Sequence, residues 1–172
     1  MALIARDARA WENPAVAGRI VVGIDGSRAS KAALAWALAE ARLRGDTVVA
    51  VHAWTPPYAT ATAPYPIPVG LPEGGVPPVD DSMVEAMRKG AEELLARTVS
   101  EAGADDVTVE QRLVDAPAAA ALIEAAKDAE LLVVGSRGHG GFTGLLLGSV
   151  SQQVANHAPC PVVIIRASEN EE

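Results

Sequence analysis

The segment Leu131–Ser149 reads LLVVGSRGHGGFTGLLLGS. Its first four residues form a short apolar run with the look of a buried strand. Beyond it, SVSQQVANH (Ser149 to His157) has the character of a helix. A glycine-rich run carrying Arg137 and His139 therefore sits where a strand hands over to a helix. Glycine lets the backbone come close to a ligand, with no Cβ in the way. The first N–H groups of the following helix lack intrahelical partners and carry the positive end of its dipole. A junction of this kind is a ready seat for phosphate oxygens.

Outward from this junction the chain alternates strands and helices. Residues 19–25 are mostly apolar, as in a strand covered on both faces. Ser27 is placed to cap a helix from Arg28 to Arg44. In it Ala33, Leu34, Ala37, Leu38 and Ala41 recur at helical spacing, and Gly45 ends it. Val48 to Ala53 reads as a second buried strand. The stretch from Trp54 to Asp80 carries eight of the twelve prolines, which excludes an ordinary helix or central strand. A helix from Asp81 or Ser82 to about Ala102 follows. Met83, Met87, Leu94, Leu95 and Val99 are expected on its inward face, with Gly90 weakening its centre. Val107 to Val114 alternates apolar and polar residues, as a strand nearer a sheet edge does. Pro117 suits the first turn of a helix ending near Ala129. After the glycine run, Ser149 is expected to cap the last helix, which leads to a final strand over 161–165. The alternation predicts an α/β fold: an open five-stranded parallel sheet with helices on both faces, Rossmann-like. Residues 1–18 read as an N-terminal extension, 19–168 as one domain and 169–172 as an acidic tail. No internal repeat is visible.

Two familiar phosphate loops do not fit. A Walker loop requires G-x-x-x-x-G-K-[ST], and the glycine run contains no lysine. A dinucleotide fingerprint would begin at Gly138 and Gly140, but Thr143 stands where its third glycine belongs. The spacing Gly135-x2-Gly138-x9-Gly148-Ser149 instead resembles the nucleotide loop of the universal stress protein family, whose ATP-binding members carry G-x2-G-x9-G-[ST]. Val21 to Ser27 (VVGIDGS) resembles that family's first strand and turn. Val49 to Ala53 resembles its second strand and Ala158 to Ile165 its last. The resemblance runs from about Arg19 to Arg166. It implies sheet order 3-2-1-4-5, with strands 1 and 4 side by side at a topological switch point. Ligands bind at the carboxyl ends of strands in such a place, and Asp25 and Gly135 would both face that crevice.

In that crevice the resemblance implies an adenine-nucleotide site. Gly135, Ser136, Gly138, Gly140 and Gly141 belong to a loop passing close to the phosphates and ribose. Arg137 either pairs with a phosphate or an acidic neighbour, or is a solvated loop arginine. His139 has no carboxylate nearby in sequence to orient it as a general acid. Gly148, Ser149, Val150 and Ser151 are implied as phosphate contacts through backbone N–H or hydroxyl groups. Asp25 is implied beside the base or ribose or assisting a metal; capping the next helix is the alternative. Gly23 and Ile24 would flank the adenine. Ala53 occupies the position where the family uses a second-strand backbone group to recognise the adenine edge. Gly23 stands where some ATP-binding relatives have proline. The implied ligand is ATP with Mg2+ bridging its phosphates.

Of the other candidates, His52 reads as a hydrogen-bonded core histidine. His157 ends the last helix, where a positive charge complements the dipole. Neither shares metal-ligand spacing with another His or Cys. Cys160 is the single cysteine, so no internal disulfide can form, and it reads as a small buried hydrophobe.

Composition narrows the function classes. A formal net charge of −8 disfavours nucleic acid and anionic membranes as partners. No segment approaches 18 consecutive apolar residues. The apolar start at Met1 is broken by Arg6 and Asp7, too early for a signal peptide, so a cytoplasmic location is expected. The expected function is that of an ATP-binding universal stress protein, a nucleotide-dependent regulator in stress response. A slow ATPase or nucleotidyl-transfer enzyme using Asp25 and a metal stays open, as does a nucleotide-free dimeric interaction module. No Ser-His-Asp set or carboxylate pair is legible, so hydrolysis is expected to be weak at most. Val162 to Ile165 would be a hydrophobic edge strand, and such edges pair unless blocked. The resemblance implies a homodimer through it.

Overall fold

The computed structural model describes residues 18–56, 80–138 and 146–167. Apolar runs too short for helices become five strands: β1 (Arg19–Gly23), β2 (Thr47–Trp54), β3 (Val109–Asp115), β4 (Leu131–Gly135) and β5 (Val162–Ile165). Longer segments form helices α1 (Arg28–Arg44), α2 (Asp81–Glu101), α3 (Ala118–Ala125) and α4 (Ser149–His157). All strand pairs are parallel, in the order β3-β2-β1-β4-β5. This is the open α/β sheet expected, with β1 and β4 adjacent at its centre.

Alternation along the strands divides the core in two. Ile20 and Val22 of β1 face one side with Leu34, Ala37 and Leu38 of α1 and Leu95 and Val99 of α2. Val21 faces the other with Leu122 of α3 and Val154 of α4. Both faces of the central strands are thus covered, which is why β1, β2 and β4 read as nearly continuous apolar runs. β3 and β5 are the edges.

Local signals behave as their chemistry dictates. Ser27 Oγ accepts the Ser30 N–H at 3.2 Å and caps α1, and Gly45 ends that helix in the left-handed region at φ 74°. Asp80 caps α2 by accepting the Met83 N–H at 2.9 Å. Pro117 stands at the cap position of α3 rather than inside it, and a 3-10 turn (Ala126–Asp128) completes the expected span to Ala129. Cys160 is half-buried against the second core cluster.

One expectation fails. Met83 and Met87 do not face inward: they are 49% and 44% exposed. Only Leu94, Leu95, Thr98 and Val99 of α2 pack inward. Helical periodicity continues through the first half of α2, but the helix meets the core over Leu94 to Val99, and Met87 and Met83 lie about two and three turns before that contact.

Residues 1–17, the proline-rich segment over 57–79, the glycine-rich residues 139–145 and residues 168–172 lie outside the described residues. Among the described residues no helix is long and apolar enough to cross a membrane.

Candidate functional site

The carboxyl ends of β1 and β4 open into one hollow of about 340 Å³. On the β1 side, Gly23, Ile24 and Asp25 line it. The Ile24 N–H donates to Val51 O at 2.8 Å, and Ile24 O accepts from Nδ1 of His52 at 2.7 Å. Asp25 Oδ1 accepts the Ser27 N–H at 2.9 Å, across a turn that Gly26 makes at φ 84°. That conformation is cheap only for glycine. Asp25 thus braces the residue that caps α1, and its carboxylate still lines the hollow. The capping role weighed for Asp25 from sequence falls instead to Ser27.

On the β4 side the chain turns under tight steric control. A Cβ on Gly135 would lie 2.8 Å from the backbone of Ala29, so only glycine lets β4 end against α1. Ser136 is buried; its N–H donates to Ile165 O at 2.7 Å. Its carbonyl accepts the Gly148 N–H at 2.7 Å and lies 2.9 Å from the Ser151 hydroxyl. The two ends of the glycine run are therefore tied together at Ser136 and Gly148. A Cβ on Gly138 would collide with Oδ2 of Asp25. The loop from β4 and the turn after β1 meet at that contact.

The last helix is capped differently from the sequence expectation. Its N-cap is Gly148, with φ −80° and ψ 169°, and no side chain caps it. Ser149 is the first helical residue. Gly148 O accepts the Gln152 N–H at 3.0 Å, so the first turn closes on Gly148 rather than on Ser149. The hydroxyl of Ser151 is also committed: Ser136 O and Gly148 O both lie 2.9 Å away. The single hydroxyl hydrogen of Ser151 is therefore committed, and the donor it has left for a ligand is its N–H.

Most of the predicted residues do gather. Gly23, Ile24, Asp25 and Ala53 line one side of the hollow; Gly135, Arg137, Gly138 and Gly148 to Ser151 line the other. Ser136 does not line it, because its peptide is spent holding the loop ends. His139, Gly140 and Gly141 lie outside the described residues. Sequence reading missed Ser30, Val51, Val134, Ala118 and Leu122. Val51 and Val134 carried a signal, since each precedes a strand's carboxyl end. Ala118 and Leu122 carried none, because α3 reaches the hollow only through tertiary packing. Gly23 leaves room for it: a Cβ there would sit 3.0 Å from Leu122.

The lining suits a mixed ligand. Ile24, Val51, Val134 and Leu122 offer an apolar wall, while the start of α4 and Arg137 offer donors. Asp25 is the one carboxylate among the described lining residues. Among the described residues no group of three or more His, Cys, Asp or Glu is arranged to hold a metal alone.

Known proteins share this fold. The model of the universal stress protein family matches residues 17–166. A universal stress protein of Mycolicibacterium smegmatis is 39% identical over 148 residues, covering 86% of this chain and 45% of the relative. The chain spans about half the length of the curated relatives it matches. Among solved structures, a universal stress protein of Archaeoglobus fulgidus in complex with dAMP is similar, with TM-score 0.58 and 26% identity, covering 86% of this chain and 97% of that one. A universal stress protein in complex with cAMP is similar with TM-score 0.55 and 28% identity, covering 90% and 100%.

Proposed function

The chain belongs to the universal stress protein family, and on that premise we propose that it is an adenine-nucleotide-binding regulator whose ligand is ATP with Mg2+. The observation that carries this reading is the bare start of α4. No side chain caps that helix, and Ser149, Val150 and Ser151 line the same hollow as the carboxyl ends of β1 and β4. Uncapped N–H groups at a helix start favour an anion. The dAMP and cAMP bound by similar structures support an adenine nucleotide as that anion's source.

Each residue then has a task. Gly23, Ile24 and Ala53 bracket the base, with the Leu122 side chain against Gly23 closing that wall. The N–H groups of Ser149, Val150 and Ser151 receive the first phosphate. Arg137 contributes charge, and Gly135, Gly138 and Gly148 keep the approach free of side chains. Ser136 holds the loop ends, and His139, Gly140 and Gly141 belong to the same loop. Magnesium ions take one or two carboxylates and complete their shell with phosphate oxygens and water, so the lone Asp25 is a sufficient donor set. When bound, the ion would neutralise phosphate charge beside that carboxylate.

The regulator acts in the cytoplasm as a homodimer. The exposed edge of β5 supports the dimer: among the described residues that strand pairs only with β4. Equilibrium dialysis against labelled ATP tests the nucleotide reading. Saturable binding is expected, and no binding at millimolar ATP rejects it.

A further inference from the structure

The first half of α2 carries an apolar stripe that no other described element covers. Met83, Met87, Gly90 and Leu94 recur at helical spacing and share one side of the helix. Leu94 packs against the first core cluster, and Met87 and Met83 carry that surface on into solvent. Val84 and Ala91 lie half-buried beside it. The nearby charges pair along the helix, Arg88 with Glu92 and Lys89 with Glu93. Gly90 is a notch in the stripe: among the described residues, a Cβ there would meet nothing within 4 Å. Glycine is costly inside a helix. Open surroundings give no reason for it, whereas a chain lying close across the helix does.

We propose that this stripe is a docking surface for the proline-rich stretch of the same chain, through the run Tyr65–Leu71 (YPIPVGL). The length of that stretch and the places where it ends supply the argument. Pro56 is fully buried and Asp80 caps α2, so the chain on either side of residues 57–79 is fixed. The stretch holds one charged residue, Glu73, and the run from Tyr65 to Leu71 holds none, which suits a stripe of methionine and leucine. Unbranched methionine also adapts to an irregular partner. Eight residues separate Leu71 from Asp80, a reach of up to about 26 Å, while Met87 lies about 10 Å along the helix from that cap. A tether this short sets an effective concentration of about millimolar, so modest apolar contacts hold the run in place. α2 shares its sheet face with α1, opposite α3 and α4. The contact therefore lies away from the hollow wall that α3 and α4 form, and it does not rest on the nucleotide reading.

The chain has three methionines, Met1, Met83 and Met87, so carbon-13 methyl NMR of the methionine-labelled 172-residue chain reads the stripe directly. Met83→Leu and Met87→Leu assign the signals. In wild type, both methyls are expected to show cross-relaxation to protons of Tyr65–Leu71 and little broadening by a soluble nitroxide. In the triple variant Ile67→Ser, Val69→Ser, Leu71→Ser those cross-peaks are expected to vanish and the broadening to rise. Methyls that broaden equally in wild type and variant, without cross-peaks to the run, overturn the proposal. Protection that grows with protein concentration overturns it in favour of a second copy, and protection that survives the triple variant overturns it in favour of other residues.

Discussion

Nδ1 of His52 lies 2.7 Å from the carbonyl oxygen of Ile24. A carbonyl can only accept, so Nδ1 carries the hydrogen. The Ile24 N–H meanwhile donates to Val51 O. The residue just past β1 is therefore held to β2 at both its N–H and its carbonyl, and the next residue is Asp25. His52 is a positioning residue for the strand end that presents the only described carboxylate of the hollow.

Replacing His52 with Phe keeps a ring of similar size but removes the donor. The Ile24 carbonyl loses its partner, which costs about 1 kcal/mol of stability. Urea denaturation is expected to show that loss, and nucleotide affinity is expected to fall roughly threefold to tenfold as Asp25 loosens. Unchanged affinity in a destabilised variant would mean that His52 serves the fold alone.

The three glycines of the spacing motif are required for different reasons, and alanine at each separates them. Gly135→Ala presses on the Ala29 backbone and is expected to cost about 1–3 kcal/mol in chemical denaturation. Gly138→Ala displaces the Asp25 carboxyl, so binding is expected to weaken about tenfold or more with a smaller stability loss. Gly148→Ala meets nothing nearer than 3.6 Å and should change stability by no more than about 0.5 kcal/mol. A uniform response at all three positions would contradict this assignment.

Gly148→Asp provides a capping side chain where α4 has none. Helix capping is then expected to raise the melting temperature slightly, since Asp exceeds Gly at this position by only a few tenths of a kcal/mol. The same carboxylate occupies the N–H groups proposed for phosphate and repels it, so ATP affinity should fall strongly. Thermal melts with and without ATP read both effects. A variant that is more stable and still binds as tightly would remove α4 from the site.

The dimer proposal has a backbone signature. Pro161 O accepts from Leu132 of β4 and Ile165 O from Ser136 just past it, so by alternation the peptide groups of Val162 and Ile164 point outward from the sheet. Sedimentation equilibrium is expected to give twice the chain mass. Ile164→Pro, which deletes one outward N–H, should shift it towards monomer. A concentration-independent monomer for wild type rules the interface out.

Acid should weaken the fold away from the hollow. The Arg42 guanidinium, bonded to both Asp106 oxygens at 2.7 and 2.8 Å, holds that carboxyl below its ordinary range. Lys31 does the same for Glu101, and the Ser82 hydroxyl with the Met83 N–H for Asp80. Depressed carboxyls contribute stability that is present above their unfolded pKa, about 4, and lost as pH falls through the lower folded values. Urea midpoints should therefore drop between pH 5 and pH 2, and drop less in Asp106→Asn. An identical pH profile in that variant would show the pair to be too solvated to matter.

The sequence by itself determined the elements and their order. Apolar runs of strand length, Ser27 and Gly45 at the two ends of α1, and the glycine spacing were enough, because capping, turn geometry and hydrophobic period act between residues close in the chain. Resemblance supplied the strand order. What only tertiary structure decided acts across the chain: Met83 and Met87 left exposed where α2 runs beyond its contact with the core, Gly148 rather than Ser149 capping α4, and Leu122 walling the hollow. The pairings of Asp25 with Gly138 and of Ser136 with Gly148 and Ile165 belong to the same class. Periodicity tells which side of a helix is apolar but not how much of it meets the core. A steric limit or a backbone hydrogen bond between distant segments leaves no local trace until both are folded into place.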